Sequence, residues 1–184
     1  METSKNIDLT GQIKFQTQFS KAVGDVDGDG DHDIKDEYIA CCKASKLMIQ
    51  NAGFTPVAAN KRVDMFIWDA KLQLEKAPTY QDSIDLLNTM LDQGRPVLIG
   101  VNRKKTSVGN ANKATSHFVV IVGREYNPAK ARYEFRFYDP GTSYIAKGTN
   151  ESNVFFKDDK TGQFVGESFY NKTKYTITEV RPTL

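Results

Sequence analysis

The sequence contains few cysteines and histidines, the residues that supply thiols and imidazoles to active sites and metal sites. Its 184 residues include two cysteines, which are neighbours at Cys41 and Cys42, and two histidines, His32 and His117. A disulfide between adjacent cysteines is strained and rare, so the chain has no disulfide framework. Adjacent cysteines also lack the usual spacing of zinc ligands. The two side chains are therefore interpreted as thiols, either as small packing residues on a helix or as a nucleophile and its neighbour.

The sequence also lacks a long apolar run and a large charge excess. No apolar segment approaches the roughly 20 residues that span a bilayer, and residues 1–12 lack the apolar core of a signal peptide. The 25 basic and 23 acidic residues give a net charge of +2. A balance so close to zero argues against a dedicated nucleic-acid-binding protein. We expect one domain, residues 1–184, with no nucleic-acid partner and no membrane span.

Hydrophobic spacing predicts helices in the first half of the chain and strands in the second. The predicted helices cover residues 38–51, 63–74 and 81–93. The predicted strands cover residues 96–101, 118–122 and 133–138, followed by shorter ones at 153–156, 163–165 and 175–180. Helices followed by strands predict an α+β fold, in which N-terminal helices pack on an antiparallel β-sheet.

Three positions in these elements carry the chemistry of a thiol hydrolase. Cys41 lies near the start of a predicted helix, where unpaired N–H groups favour a thiolate. His117 opens a predicted strand, whereas His32 lies in an aspartate-rich loop, so His117 is the better candidate for a general base. Asp139 closes the next strand, and a hairpin would bring it beside His117 to orient the imidazole. The alternatives are a structural histidine and an ordinary turn aspartate.

These segments resemble papain-like cysteine peptidases and amidases, in particular the bacteriocin-processing peptidases. The resemblance is carried, in order, by a nucleophile helix, a helix-to-strand passage, a histidine strand and an aspartate strand, at residues 41–48, 93–97, 116–123 and 138–141. It implies a papain-like fold and a Cys41, His117, Asp139 triad. Cys42 and Lys43 replace the Gly-Pro pair that is usual in that family, so the nucleophile is Cys41 or Cys42, and the motif register favours Cys41.

Papain-like enzymes also place a glutamine before the nucleophile, where it donates to the developing oxyanion. Gln16 and Gln18 are the candidates here, and Gln18 is preferred because it precedes the aromatic Phe19. Gln18 is farther from Cys41 in the sequence than is usual in such enzymes. This spacing indicates an insertion between the two residues.

The inserted segment, residues 25–36, matches an EF-hand or dockerin-type calcium loop. Such loops place oxygen ligands at positions 1, 3, 5, 7, 9 and 12 and glycine at position 6. Gly30 takes the glycine position, His32 replaces the usual apolar residue at position 8, and the ligand positions hold Asp25, Asp27, Asp29, Asp31, Asp33 and Asp36. We expect a structural or regulatory Ca²⁺ here, with an acidic linker as the alternative, and a loop that holds Gln18 and the Cys41 helix in register.

These observations predict a bacterial cysteine hydrolase that cleaves an amide bond through a thioester. The expected substrate is a peptidoglycan peptide, as for an antibacterial toxin effector acting outside the cytoplasm, secreted or periplasmic, and restrained by an inhibitor or immunity protein. A thiol protease acting on protein or leader peptides is the second interpretation. A catalytically inactive calcium-binding module is the third.

Overall fold

The computed structural model describes residues 5–31, 33–69, 73–103 and 112–184 of the chain. Within these ranges the helices are few and short: α1 (Ile34–Ile39), α2 (Cys41–Asn51), α3 (Tyr80–Asp92) and α4 (Ile145–Gly148). Strands are more numerous and fall into two sheets. They are β1 (Ile7–Asp8), β2 (Val63–Asp64), β3 (Phe66–Trp68), β4 (Leu74–Lys76), β5 (Val97–Asn102), β6 (His117–Asn127), β7 (Arg132–Tyr138), β8 (Val154–Lys157), β9 (Phe164–Glu167) and β10 (Lys174–Arg181).

Six strands close into an antiparallel barrel in the order β6-β5-β10-β9-β8-β7, with β7 returning to pair with β6. Two short strands extend this sheet, β1 beside β6 and β2 beside β10, while β3 and β4 form a separate hairpin. The interior holds aromatic side chains from different strands. Phe137 stacks on Phe155 with 4.4 Å between the ring centroids, and Phe137 lies 6.0 Å from Tyr175.

The predicted fold class, a papain-like α+β fold with N-terminal helices packed on an antiparallel sheet, is wrong. The molecule is mostly a closed six-stranded barrel, and its described helices are short. Strands β8, β9 and β10 lie close to their predicted positions, but together they bridge β7 and β5 and so close the sheet. A closed sheet buries apolar side chains in its own interior and needs no full helical layer to cover them.

The predicted helix at residues 63–74 is also wrong, because this segment forms strands β2, β3 and the start of β4, with residues 70–72 outside the described part of the chain. Met65 and Phe66 are buried, and neighbouring Val63, Ile67 and Trp68 are β-branched or aromatic, types that favour a pleated backbone. The spacing of these apolar residues also fits one face of a helix, because the segment is too short to distinguish the helical period from the strand period.

Several strands start or end at the same end of the barrel. β6 begins there at His117, β7 ends at Tyr138, and the turn between β9 and β10 follows Glu167. Helix α2 packs on β6, and its buried Ser45 hydroxyl donates to the Phe118 carbonyl at 3.3 Å.

In the described ranges, no helix has the length and apolar character required to cross a membrane.

Candidate active site

Cys41 is the first residue of α2. Helix α1 starts at Ile34, position 10 of the aspartate loop, as in EF-hand geometry, but it ends at Ile39, and α2 begins anew at Cys41 after Ala40. The first turn of α2 contains no acidic residue, and Ala40 has no side chain that accepts a hydrogen bond. The positive end of the helix therefore lies at the thiol, which favours its ionised form.

His117 and Asp139 are paired by the antiparallel register of β6 and β7. Val120 lies opposite Tyr138, so the start of β6 is beside the end of β7. His117 Nε2 and Asp139 Oδ1 are 2.8 Å apart, and both side chains are almost fully buried. The hairpin geometry expected from the sequence is present, and it brings these two predicted site residues into contact.

Cys41 acts on the same imidazole as Asp139. Asp139 occupies Nε2, and the Cys41 thiol lies within hydrogen-bonding reach of the same ring. Nδ1 is buried and has no well-aligned partner among the described residues. With Nε2 bonded to Asp139, Nδ1 is the ring nitrogen that remains for the Cys41 thiol.

The Asp139 carboxylate is held by four donors. Oδ1 accepts from His117 and from the Gly141 N–H at 2.9 Å, while Oδ2 accepts from the Ser168 hydroxyl at 2.7 Å and the Tyr175 hydroxyl at 2.9 Å. A carboxylate with this many donors stays ionised and keeps a fixed orientation. The imidazole bonded to it is therefore held with its N–H at Nε2, which leaves Nδ1 to exchange a proton with the thiol.

Gly141 is closely packed against this pair. A Cβ at Gly141 would lie 3.0 Å from Asp139 Oδ1 and 3.3 Å from His117 Cε1. Any larger residue at this position would push the carboxylate or the imidazole out of place. The Pro-Gly turn after Asp139 therefore allows the backbone N–H to approach the carboxylate closely.

Cys41 and His117 favour a thiolate–imidazolium pair. Burial opposes charge on both groups, but the opposite charge and the hydrogen-bonding contact outweigh it, so the pKa of Cys41 is lowered and that of His117 is raised to about 9. Burial likewise opposes ionisation of Asp139, yet His117, Ser168 and Gly141 hold the pKa of Asp139 well below its usual range. The lowered pKa values of Cys41 and Asp139 and the raised pKa of His117 all favour the charged forms of these groups.

Cys42 is in a different environment from Cys41. Its side chain is partly buried, and burial raises the pKa of its thiol despite the nearby cations Lys46 and Arg181. A thiol with a raised pKa is protonated at neutral pH and is a poor nucleophile. Of the two alternatives left open by the sequence, the geometry and the electrostatics favour Cys41.

Of the two candidate glutamines, Gln18 lies beside the site and Gln16 does not point toward it. The Gln18 backbone N–H donates to the Pro140 carbonyl at 3.0 Å, which places this buried residue next to the Asp139 turn. Its Nε2 donates to the Glu37 carbonyl at 2.7 Å, and its Oε1 has no partner among the described residues. Gln16 Nε2 instead donates to the Thr17 carbonyl at 3.1 Å.

The aspartate loop is turned by two glycines and stabilised by its own carboxylates. Gly28 and Gly30 have φ of 86° and 103°, values that favour glycine. Asp25 accepts from both glycine N–H groups, at 2.6 and 3.0 Å. Carboxylate oxygens of Asp25, Asp27 and Asp29 lie within 4.8 Å of one another, as do those of Asp29, Asp31 and Asp33. Exposed acidic groups often gather in this way without an ion, and His32 lies outside the described residues.

Asp36, predicted as the final calcium ligand, is fully buried and faces the loop backbone. Its Oδ1 accepts from the N–H groups of Val26 and Asp27 at 2.5 and 3.0 Å, and its Oδ2 accepts from the Asp33 N–H at 3.0 Å. Asp33 in turn caps α1. The loop is therefore closed by backbone hydrogen bonds to its last carboxylate, that of Asp36.

Two contacts join this loop and α1 to the candidate active site. The Lys43 ammonium, in the first turn of α2, donates to the Asp25 carbonyl at 2.9 Å. The Gln18 amide donates to the Glu37 carbonyl in α1. The loop is thus mechanically connected both to the helix that bears Cys41 and to the glutamine beside Asp139.

Ser168 and Tyr175, which the sequence did not indicate as site residues, complete the shell around Asp139. Ser168 follows β9 and Tyr175 lies in β10, so both reach Asp139 only because β9 and β10 are part of the closed barrel. No local motif marks either residue. The predicted strand at residues 175–180 places Tyr175 at a strand start, but its partner depends on which strands pair.

Comparisons with protein-family models, with curated proteins and with solved structures gave no match to this chain. The resemblance to papain-like enzymes therefore stands on the short motifs alone. A functional assignment has to come from the chemistry of the site itself.

Proposed function

We propose that the protein is a cysteine hydrolase that cleaves an amide bond, with Cys41 as nucleophile, His117 as acid and base, and Asp139 as the residue that orients His117. The observation that carries the proposal is the buried His117–Asp139 pair, with Cys41 next to the free side of the imidazole at a helix N-terminus. A lone turn aspartate or structural histidine does not require four donors converging on the carboxylate.

The chemistry follows from these positions. The Cys41 thiolate attacks the carbonyl carbon, a C–S bond forms, and the imidazolium of His117 gives its Nδ1 proton to the leaving nitrogen as the C–N bond breaks. Water then attacks the thioester while His117 takes a proton from it, and the C–S bond breaks to release a carboxylic acid. Asp139 remains ionised and stabilises the imidazolium throughout.

The oxyanion is assigned to the N-terminus of α2 and to Gln18. Backbone N–H groups at the start of a helix have no partner within the helix, so they can donate to an oxygen that gains negative charge in the transition state. Gln18 Nε2 donates one of its two hydrogens to the Glu37 carbonyl, which leaves the other for the oxyanion. The bond to Glu37 also joins α1 to the proposed oxyanion site.

For the substrate we propose a peptidoglycan peptide in bacteria. The support is the thiol chemistry and the motif resemblance. The proposed toxin-effector role, the site of action outside the cytoplasm and the restraining immunity protein extend the same proposal. Incubation of purified sacculi with the protein, followed by mass spectrometry, is expected to show new muropeptides. Unchanged sacculi, together with cleavage of an unstructured protein, would favour the protein-peptidase interpretation.

Reactivity of the thiol tests the enzyme proposal without knowledge of the substrate. Iodoacetamide near pH 6 is expected to modify Cys41 quickly, because its pKa is lowered. The matched control is Cys42, whose thiol is expected to react slowly. Slow modification of both cysteines would favour the inactive-module interpretation.

We also propose that the loop at residues 25–36 binds Ca²⁺ through its carboxylates. Support comes from the ligand spacing, the two grouped sets of carboxylate oxygens and the turn glycines. Bound calcium would remove the mutual repulsion of the aspartates and so stabilise the Lys43 and Gln18 contacts that join the loop and α1 to the site. Equal activity and equal melting in calcium and in chelator would contradict this proposal.

A further inference from the structure

Exposed aromatic side chains border the catalytic end of the barrel. Tyr144 and Tyr170 are 58% and 40% exposed, and beside them along the chain Ile145 and Phe169 are 66% and 36% exposed. Single exposed apolar residues are ordinary, whereas a contiguous exposed patch marks an interaction site. The two tyrosines form such a group, because their ring centroids are 6.3 Å apart although they come from different loops.

Both of these loops start at a residue that donates a hydrogen bond to the Asp139 carboxylate. Gly141 donates its N–H to Asp139 and the chain then leads to Tyr144, while Ser168 donates its hydroxyl to Asp139 and the chain then leads to Tyr170. The aromatic group is therefore fixed to the same rigid shell that orients the imidazole. A ligand held on these rings would lie beside the two loops that hold Asp139.

The ammonium groups of two lysines lie close to these rings. The Lys147 ammonium lies 4.5 Å from the centre of the Tyr144 ring and 5.3 Å from that of Tyr170, and the Lys172 ammonium lies 4.7 Å from that of Phe169. These five residues, Tyr144, Lys147, Phe169, Tyr170 and Lys172, are here called the aromatic–basic rim. An occupant that fits both features has apolar groups for the rings and carboxylates for the ammonium groups.

We propose that the aromatic–basic rim binds the substrate of the proposed hydrolase, and that the bound segment is a peptidoglycan stem peptide recognised by its free carboxylates. This inference rests on the proposed function. Stem peptides combine small apolar side chains with carboxylates that are not used in the backbone, which matches the alternation of ring and cation along the rim. Lys147 is the central contact, since it touches both tyrosines.

The test measures binding rather than turnover. The parent protein carries Cys41→Ala, so that no substrate is consumed, and calorimetry measures the Kd for a synthetic stem tetrapeptide. Two further probes are the same tetrapeptide with amidated carboxylates and a protein-type peptide of equal length and charge. Lys147→Gln and Tyr170→Ala are each expected to weaken binding of the stem peptide about tenfold. Amidation is expected to weaken it similarly.

The matched controls are Tyr126→Ala and Lys160→Gln, an exposed tyrosine and an exposed lysine outside the rim. They are expected to leave the Kd unchanged. Equal affinity in the rim variants, or no binding of the stem peptide to the parent, would overturn the proposal. Equal affinity for the protein-type peptide would overturn the choice of stem peptide. If the parent binds but the wild-type protein hydrolyses nothing, the rim stands and the proposed hydrolase fails.

Discussion

Asp139 and the aspartates of the loop at residues 25–36 are the same side chain in two opposite environments. Asp139 is a single buried carboxylate that accepts from His117, Gly141, Ser168 and Tyr175. Most of the loop aspartates are exposed or partly exposed, lie close to one another and accept chiefly from N–H groups of their own loop. The first environment fixes one charge, and the second gathers several charges of the same sign.

The difference concerns what each carboxylate can do. A buried carboxylate surrounded by donors has no capacity for a further ligand, so it acts through the group that it holds, which is His117. Exposed carboxylates that repel one another keep lone pairs available and gain from a cation.

The largest effect is expected from Asp139→Asn. The amide keeps the shape of the carboxylate but loses the charge that stabilises the imidazolium, and it favours the wrong tautomer of His117. We expect muropeptide release to fall about 10⁴-fold. The matched control is Asp159→Asn at an exposed turn, which is expected to retain full activity. Comparable activity of Asp139→Asn and wild type would refute the role assigned to Asp139.

The pH dependence of thiol alkylation is expected to separate the two cysteines by about a hundredfold at pH 6. The lowered pKa of Cys41 gives it a larger thiolate fraction there than Cys42, whose raised pKa keeps it protonated. Cys42→Ser should retain the fast reaction and Cys41→Ser should lose it. A fast reaction that remains in Cys41→Ser would make Cys42 the nucleophile.

The same ion pair sets an alkaline limit. The pKa of His117 is raised from 6.5 to about 9, so the stability it contributes is complete below 6.5 and is lost as pH rises through about 9. Peptide hydrolysis is expected to decline over this range, because neutral His117 cannot protonate the leaving nitrogen. Chemical unfolding measured at several pH values should show the matching loss of stability. A rate that keeps rising well beyond this limit would contradict the ion pair.

Removal of one donor to Asp139 is expected to have a smaller effect. Ser168→Ala and Tyr175→Phe should each reduce hydrolysis about tenfold and cost about 1–3 kcal/mol of unfolding free energy. The pKa of Asp139 is depressed, so the stability that its ionised form contributes is lost as pH falls through this depressed pKa. Loss of a donor raises the pKa of Asp139. Acid unfolding should therefore begin at a higher pH in both variants. Tyr126→Phe is the control, and identical acid unfolding in all three would contradict the shell.

The smallest effect is expected from calcium. Binding to the loop should raise the melting temperature by a few degrees, since only the folded chain gathers the carboxylates. Magnesium at the same concentration should do less, because it prefers octahedral sites with several waters. Asp29→Asn, which alters a member of both carboxylate groups, should remove most of the calcium effect. A shift that survives this substitution would place the ion elsewhere.

The candidate site is more predictable from the sequence than the fold. Cys41, His117 and Asp139 lie at element ends, where local spacing and one hairpin suffice to bring them together. Strands β5 to β10 also lie close to the predicted segments. Closure of these strands into a barrel is different in kind, because β10 pairs with β5 as well as with its chain neighbour β9, and no local pattern specifies so distant a partner.

The residues that were missed share this physical origin. Ser168 and Tyr175 contact Asp139 across the chain, through strands that become neighbours only when the sheet closes. Short apolar segments such as residues 63–68 fit a helical and a strand period equally well, and tertiary contacts decide between them. The break between α1 and α2 at Ala40, which puts Cys41 at a helix start, has no signal in the sequence.

Strand β10 has a consequence for the order in which the chain matures. It is the last strand of the barrel in chain order, and it holds β5 on one side and β9 on the other. β10 and β5 are distant in the sequence, and contacts between distant segments form slowly, because the entropy of closing the loop is lost before they stabilise anything. The Tyr175 hydroxyl reaches Asp139 from β10, so the shell around Asp139 is complete only once this last strand has docked. We therefore expect closure of the barrel and completion of the shell to coincide late in folding.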